Sequence, residues 1–184
     1  MASRVCGAAV FVSFCLLAPG ASAQTAASAN PITQALRADW SGAKTNVRRS
    51  ADVMPEAKYG FKPVDSVRSY GAILAHVAGA AYEFCSAAKG EKTPHAEDEF
   101  EKSAKTKAEI VKALDGAIAY CDEVYKGLDD VKAGQMVAGA FGGPQGARAA
   151  NLTGNTIHFQ EHYGNIVTYL RINGLVPPSS APQR

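Results

Sequence analysis

His158 and His162 stand four residues apart in the stretch Thr153-Gly-Asn-Thr-Ile-His-Phe-Gln-Glu-His-Tyr-Gly-Asn165. On a helix this spacing puts both imidazoles on one face, one turn apart. Ile166 and Tyr169 continue that face, so the pair is expected to point inward. Two inward histidines a turn apart can chelate a divalent cation when a third ligand arrives from elsewhere. His76, inside an earlier helical stretch, is the candidate third ligand. A single helical histidine is more often a hydrogen-bonded core residue than a ligand, so spacing alone leaves both readings open. His95 lies among charged residues and is read as exposed, with no metal role.

The elements that must position these residues begin after a leader. Arg4, the apolar run from Val5 to Ala18 and the small-residue pattern Ala21-Ser22-Ala23 read as a cleaved secretory signal over residues 1–23. The expected location is therefore periplasmic or secreted. The apolar run is too short to span a bilayer, so no stable membrane insertion is expected after cleavage. Residues 24–29 read as a linker, 30–176 as one domain and 177–184 as a loose tail. Lys and Arg number 19 against 17 Asp and Glu, and losing Arg4 leaves the remainder nearly neutral. That balance argues against nucleic acid as a partner. Of four cysteines, Cys6 and Cys15 fall in the leader. Cys85 and Cys121 remain, in a compartment where disulfides persist. Both lie in helical stretches, and the residues alone leave buried thiols and a disulfide equally open.

Four helices are legible. Asn30-Pro31 starts the first, which runs to about Met54 with Ile32, Leu36, Trp40, Ala43, Val47 and Ala51 as its apolar face. Arg37, Lys44, Arg48 and Arg49 take the other faces as a solvated surface. Tyr59 and Phe61 in the next loop are expected to plug one end of the core. The second helix covers about 66–88, capped by Asp65 or Ser66, with Val67 opening its apolar face and His76 at the edge of the buried stripe. Residues 89–105 are charged and irregular. Thr106-Lys-Ala-Glu109 is a capping box for a third helix reaching about Leu128. Residues 129–152 are glycine-rich and lack the Gly-Lys-Ser or Gly-Lys-Thr ending of a phosphate-binding loop, so they read as a connection over one end. Asn151-Leu-Thr153 matches a glycosylation sequon. The fourth helix covers 153–173 and stops at Asn173-Gly174 before Pro177-Pro178. No strand pattern stands out. The fold class is all-α, a four-helix bundle.

The ordered motifs resemble a known family. Ser69-Tyr-Gly-Ala-Ile-Leu-Ala-His76-Val-Ala-Gly79 is one half. The other is His158-x-x-x-His162-Tyr-Gly-Asn-Ile-Val-Thr-Tyr-Leu-Arg171 running into Gly174-Leu-Val-Pro-Pro178. Together they are similar to the DinB-like superfamily of bacterial metal-binding bundles. The resemblance implies parallel second and third helices joined by a long crossover. About 17 extended residues reach about 55 Å, more than the about 33 Å of a helix of about 22 residues, so 89–105 has the length. Parallel helices would also bring Cys85 and Cys121 to the same end, which favours a disulfide.

The resemblance further implies a divalent metal held by His76, His158 and His162, with zinc or nickel suited to imidazole. Three histidines leave coordination positions for water or substrate. Known activities in the family include thiol-dependent transferases and isomerases, so the expectation is a metal-dependent hydrolase or thiol-dependent transferase acting on an unidentified small molecule. Glu83 and Glu161 are the carboxylates placed to orient a ligand or act as general base, and are otherwise ordinary surface residues. Many related helices carry His-His-x-Gly-Gln where this chain has Glu161-His162-Tyr-Gly-Asn165, which leaves the substrate side unassigned. The alternative is a non-catalytic metal-binding or stress-related protein. A homodimer is an open arrangement.

Overall fold

The computed structural model describes residues 29–182; the leader 1–23 and most of the linker lie outside the described residues. Four long helices form the bundle: α1 (Pro31–Val53), α2 (Tyr70–Lys89), α4 (Lys107–Lys126) and α6 (Arg148–Ile172). Between them lie α3 (Glu99–Ser103) and α5 (Asp130–Ala133), with a two-stranded antiparallel ribbon of β1 (Met136–Val137) and β2 (Gly146–Ala147). Helix α2 packs on α4 and α6, and α1 packs on the same two from the other side.

Helices α2 and α4 are parallel. The space beside Gly71 is bounded by Ile110, Tyr82 Oη reaches Gly116, and Ser86 pairs with Tyr120. Both sequences therefore ascend together. Cys85 and Cys121 meet at the same end as a disulfide, with Cα atoms 5.4 Å apart. The crossover between the two helices is the long charged segment, as the length argument required. Helix α6 runs against α2, since Gly154 faces Phe84 and Tyr169 faces Tyr70. Among the described residues no helix is long and apolar enough to cross a membrane.

Several local readings need correction. Helix α2 begins at Tyr70, capped by Ser69, whose side chain accepts from Ala72 N. Tyr70 N and Gly71 N bond instead to Phe61 O and Tyr59 O, so 60–69 folds back as a loop and Val67 is exposed. Helix α6 begins at Arg148, five residues early, its first N–H held by Gln135 O. Three of the four basic residues of α1 are not a solvated fringe: Arg37 binds the carbonyls of Tyr125, Lys126 and Leu128, Lys44 pairs with Asp122, and Arg48 with Asp115, while Arg49 is exposed as expected. Ile32, counted as apolar face, is exposed. Asn30 is the N-cap, yet the side chain serving the first turn of α1 is Asp130, which accepts from Ile32 N and Thr33 N. Residues 177–182, expected to be loose, carry a turn at Pro178–Ser180 with Pro178 buried and Ser179 bonded to Tyr163 Oη. The capping box of Thr106 and Glu109 closes α4 in both directions.

Candidate metal centre

Helices α2 and α6 cross with His76 facing His158 and His162. His76 Nε2 lies 3.2 Å from His158 Nε2, which lies 3.1 Å from His162 Nε2. One ligand atom from each residue fits within 4.8 Å of the others. The sequence explains the placement. His76 follows Ile73 and Leu74 into the buried face of α2, and the i, i+4 pair stacks along α6 between buried Phe159 and Ile166.

Three neutral imidazoles carry only one ring N–H each, so with those protons on Nδ1 the three Nε2 lone pairs turn toward one another. Charging them is no remedy in this setting. Burial, reinforced by His162, His76 and Arg68, pushes the His158 pKa down to about 3. Burial and His76 also lower that of His162. A cation is the natural occupant of such a point. Nitrogen donors on a tetrahedral zinc at about 2.0–2.1 Å stand about 3.3 Å apart, close to the two spacings that His158 makes. The three histidines can hold a metal ion.

Carboxylates approach from the crossover. Glu101 Oε1 lies 3.1 Å from His76 Nδ1 and Glu97 Oε1 lies 3.6 Å away. The Glu101 contact is close but bent, so His76 Nδ1 and the buried His158 Nδ1 both lack a well-aligned partner. The other Glu101 oxygen accepts from Arg68 Nε at 3.0 Å. Gly79 admits this segment: a Cβ there would come within 1.8 Å of Glu97 O. Neither Glu97 nor Glu101 was singled out from sequence, because the crossover has no periodicity to assign a face. The usable signal was Phe100, an apolar residue in a charged run, which turns its flanks toward α2.

The two carboxylates that were singled out sit elsewhere. Glu83 is half-buried on α2, and burial followed by Glu97 raises its pKa; it stands behind Glu97 rather than on a histidine. Glu161 is exposed and lines a groove of about 530 Å³ with Leu36 and Asp39, yet its charge still acts on His162, opposing the lowering of that pKa. His95 is half-buried, bonded to Glu99 and packed on Tyr82 and Phe100, and stays out of the cluster. Asn151 of the sequon is buried, its amide spanning Ala138 O and Ala140 N. That clamp holds Phe141, at φ 56°, against Phe84, whose ring lies 5.8 Å from His158.

A family model described as the DinB superfamily matches residues 39–166, a span that contains all three histidines. The chain belongs to the DinB superfamily. Solved structures agree on the fold. A DinB-like protein from Bacillus cereus ATCC 10987 aligns with TM-score 0.63 at 14% identity, covering 79% of this chain and 95% of that one. A protein assigned to the DinB family from Exiguobacterium sibiricum 255-15 gives 0.62 at 16% identity, covering 80% and 95%. A mycothiol-dependent maleylpyruvate isomerase gives 0.60 at 16% identity, covering 73% of this chain and 60% of the isomerase. None of the curated proteins matches in sequence. At these identities the structural likeness shows the shared DinB bundle alone.

Proposed function

We propose that this DinB protein binds one divalent cation through His76, His158 and His162 and uses it for hydrolysis of a small molecule in an oxidising compartment. The observation that carries the reading is the cluster of three imidazoles, with His158 Nε2 3.2 Å from His76 Nε2 and 3.1 Å from His162 Nε2. Zinc and nickel both suit three imidazoles. A cation there supplies a Lewis acid that lowers the pKa of water entering beside it. The chain's own contribution is to keep three lone pairs neutral and fixed: burial keeps His158 and His162 uncharged near pH 7. Glu97, partly exposed beside His76, is the carboxylate placed to take a proton at the mouth of the site. Phe84 and Phe141 form an apolar wall on the opposite side of His158 along α2.

The disulfide favours water as nucleophile, because thiol cofactors stay reduced mainly in the cytoplasm, while the leader reading puts this chain outside it. The second reading is a thiol-dependent transferase, supported by the likeness to the mycothiol-dependent isomerase. Metal content by plasma mass spectrometry, on protein purified without a polyhistidine tag, tests the shared premise. One equivalent of metal in the wild type and none in His158→Ala or His162→Ala is expected. Equal metal in all three would refute it.

A further inference from the structure

The ring of His76 presents its two nitrogens to opposite surroundings. Nε2 faces His158 Nε2 at 3.2 Å. Nδ1 faces Glu101 Oε1 at 3.1 Å and Glu97 Oε1 at 3.6 Å. A neutral imidazole has one proton to place. On Nε2 that proton would point into the cluster and leave the Nδ1 lone pair facing two carboxylates. On Nδ1 it is turned toward the Glu101 carboxylate, close though bent, and the Nε2 lone pair is turned to the other histidines.

Glu101 is itself held in place. Arg68 Nε donates to its second oxygen at 3.0 Å, and the carbonyl of Arg68 accepts from Tyr169 Oη on α6 at 2.8 Å. The side chain is only 22% exposed. Its backbone sits in α3, which follows directly on the Glu97 backbone that the missing side chain of Gly79 admits against α2. Glu97, by contrast, is 45% exposed and makes no contact with Arg68.

We infer that Glu101, braced by Arg68, is a positioning residue that fixes His76 in its Nδ1–H tautomer with the Nε2 lone pair aimed at His158 and His162. Its consequence for affinity rests on the metal reading; the tautomer does not. Carboxylates that orient a ligating histidine typically strengthen metal affinity about 10- to 100-fold.

The test has two arms on the full chain, stripped with EDTA. Long-range proton–nitrogen correlation at neutral pH reads the His76 tautomer directly. Wild type is expected in the Nδ1–H form, Glu101→Ala in a mixture or the Nε2–H form, and Glu101→Gln, whose amide oxygen still accepts, in the Nδ1–H form. Zinc titration against a chromophoric chelator should show Glu101→Ala weaker by about 10- to 100-fold and Glu101→Gln within a few-fold of wild type. Helical circular dichroism checks that each variant folds. An Nε2–H form in wild type, or an unchanged tautomer in Glu101→Ala, overturns the inference whatever the affinity. A wild type that takes up no zinc overturns the metal reading instead, and the nitrogen shifts still decide this one.

Discussion

Helix α2 has two seams, and they are built on opposite terms. Toward α4 it is closed: a disulfide, the alanines at 78 and 81, and Gly71 and Gly116 allowing close approach. Toward α6 it carries at its centre three imidazoles whose Nε2 atoms cluster around His158. One seam is fixed covalently, while the other gathers three donors that can hold a cation. The difference separates scaffold from site within one helix, and predicts that the two seams can be broken independently.

The largest effect belongs to the closed seam. Replacing Cys85 and Cys121 by serine opens a loop with separation 36, and chain entropy puts the loss at about 4 kcal/mol. Urea unfolding should show it while zinc stoichiometry stays at one. A loss below about 1 kcal/mol, or a loss of zinc, would erase the distinction. The open seam is probed by adding metal. At about 100 times its dissociation constant, zinc should raise stability by about 2.7 kcal/mol, and the increment should vanish in His158→Ala. Zinc stabilising both proteins equally would place the ion elsewhere.

Gly79→Ala links the seam to its carboxylates. Its Cβ would displace Glu97 backbone, costing about 1–3 kcal/mol and weakening zinc binding as Glu101 moves. Full zinc affinity in that variant would detach the crossover from the site. The smallest effect is the control: Thr106→Ala removes the capping box of α4 for about 1 kcal/mol, with zinc affinity unchanged.

Where sequence reading succeeded and failed follows the same division. The bundle and the His158/His162 pair were legible because apolar spacing and an i, i+4 pair survive in the raw chain, whereas the parallel pair and His76 as third ligand followed from the family resemblance. The start of α6 was not, because Asn151, Asn155 and Thr156 are buried polar residues that interrupt its apolar stripe. Asn151 serves the ribbon, and the Asn155 amide nitrogen reaches Tyr125 and Cys121 while its oxygen finds no partner among the described residues, contacts that spacing cannot reveal. Glu101 was missed for a related reason. Its position depends on an absent side chain at Gly79 and on a distant partner at Arg68, neither of which leaves a local pattern. Conversely, the carboxylates chosen by helical proximity, Glu83 and Glu161, sit behind or beside the histidines rather than on them.

The cystine also has a topological consequence. Its two ends lie on α2 and α4, so the whole crossover, with Glu97 and Glu101, belongs to a covalently closed ring. Trypsin cutting after Lys102 or Lys105 would sever the backbone without releasing either piece. The digest would run as one band on a non-reducing gel and as two on a reducing one, and the ring would keep its carboxylates tethered beside His76 after the cut.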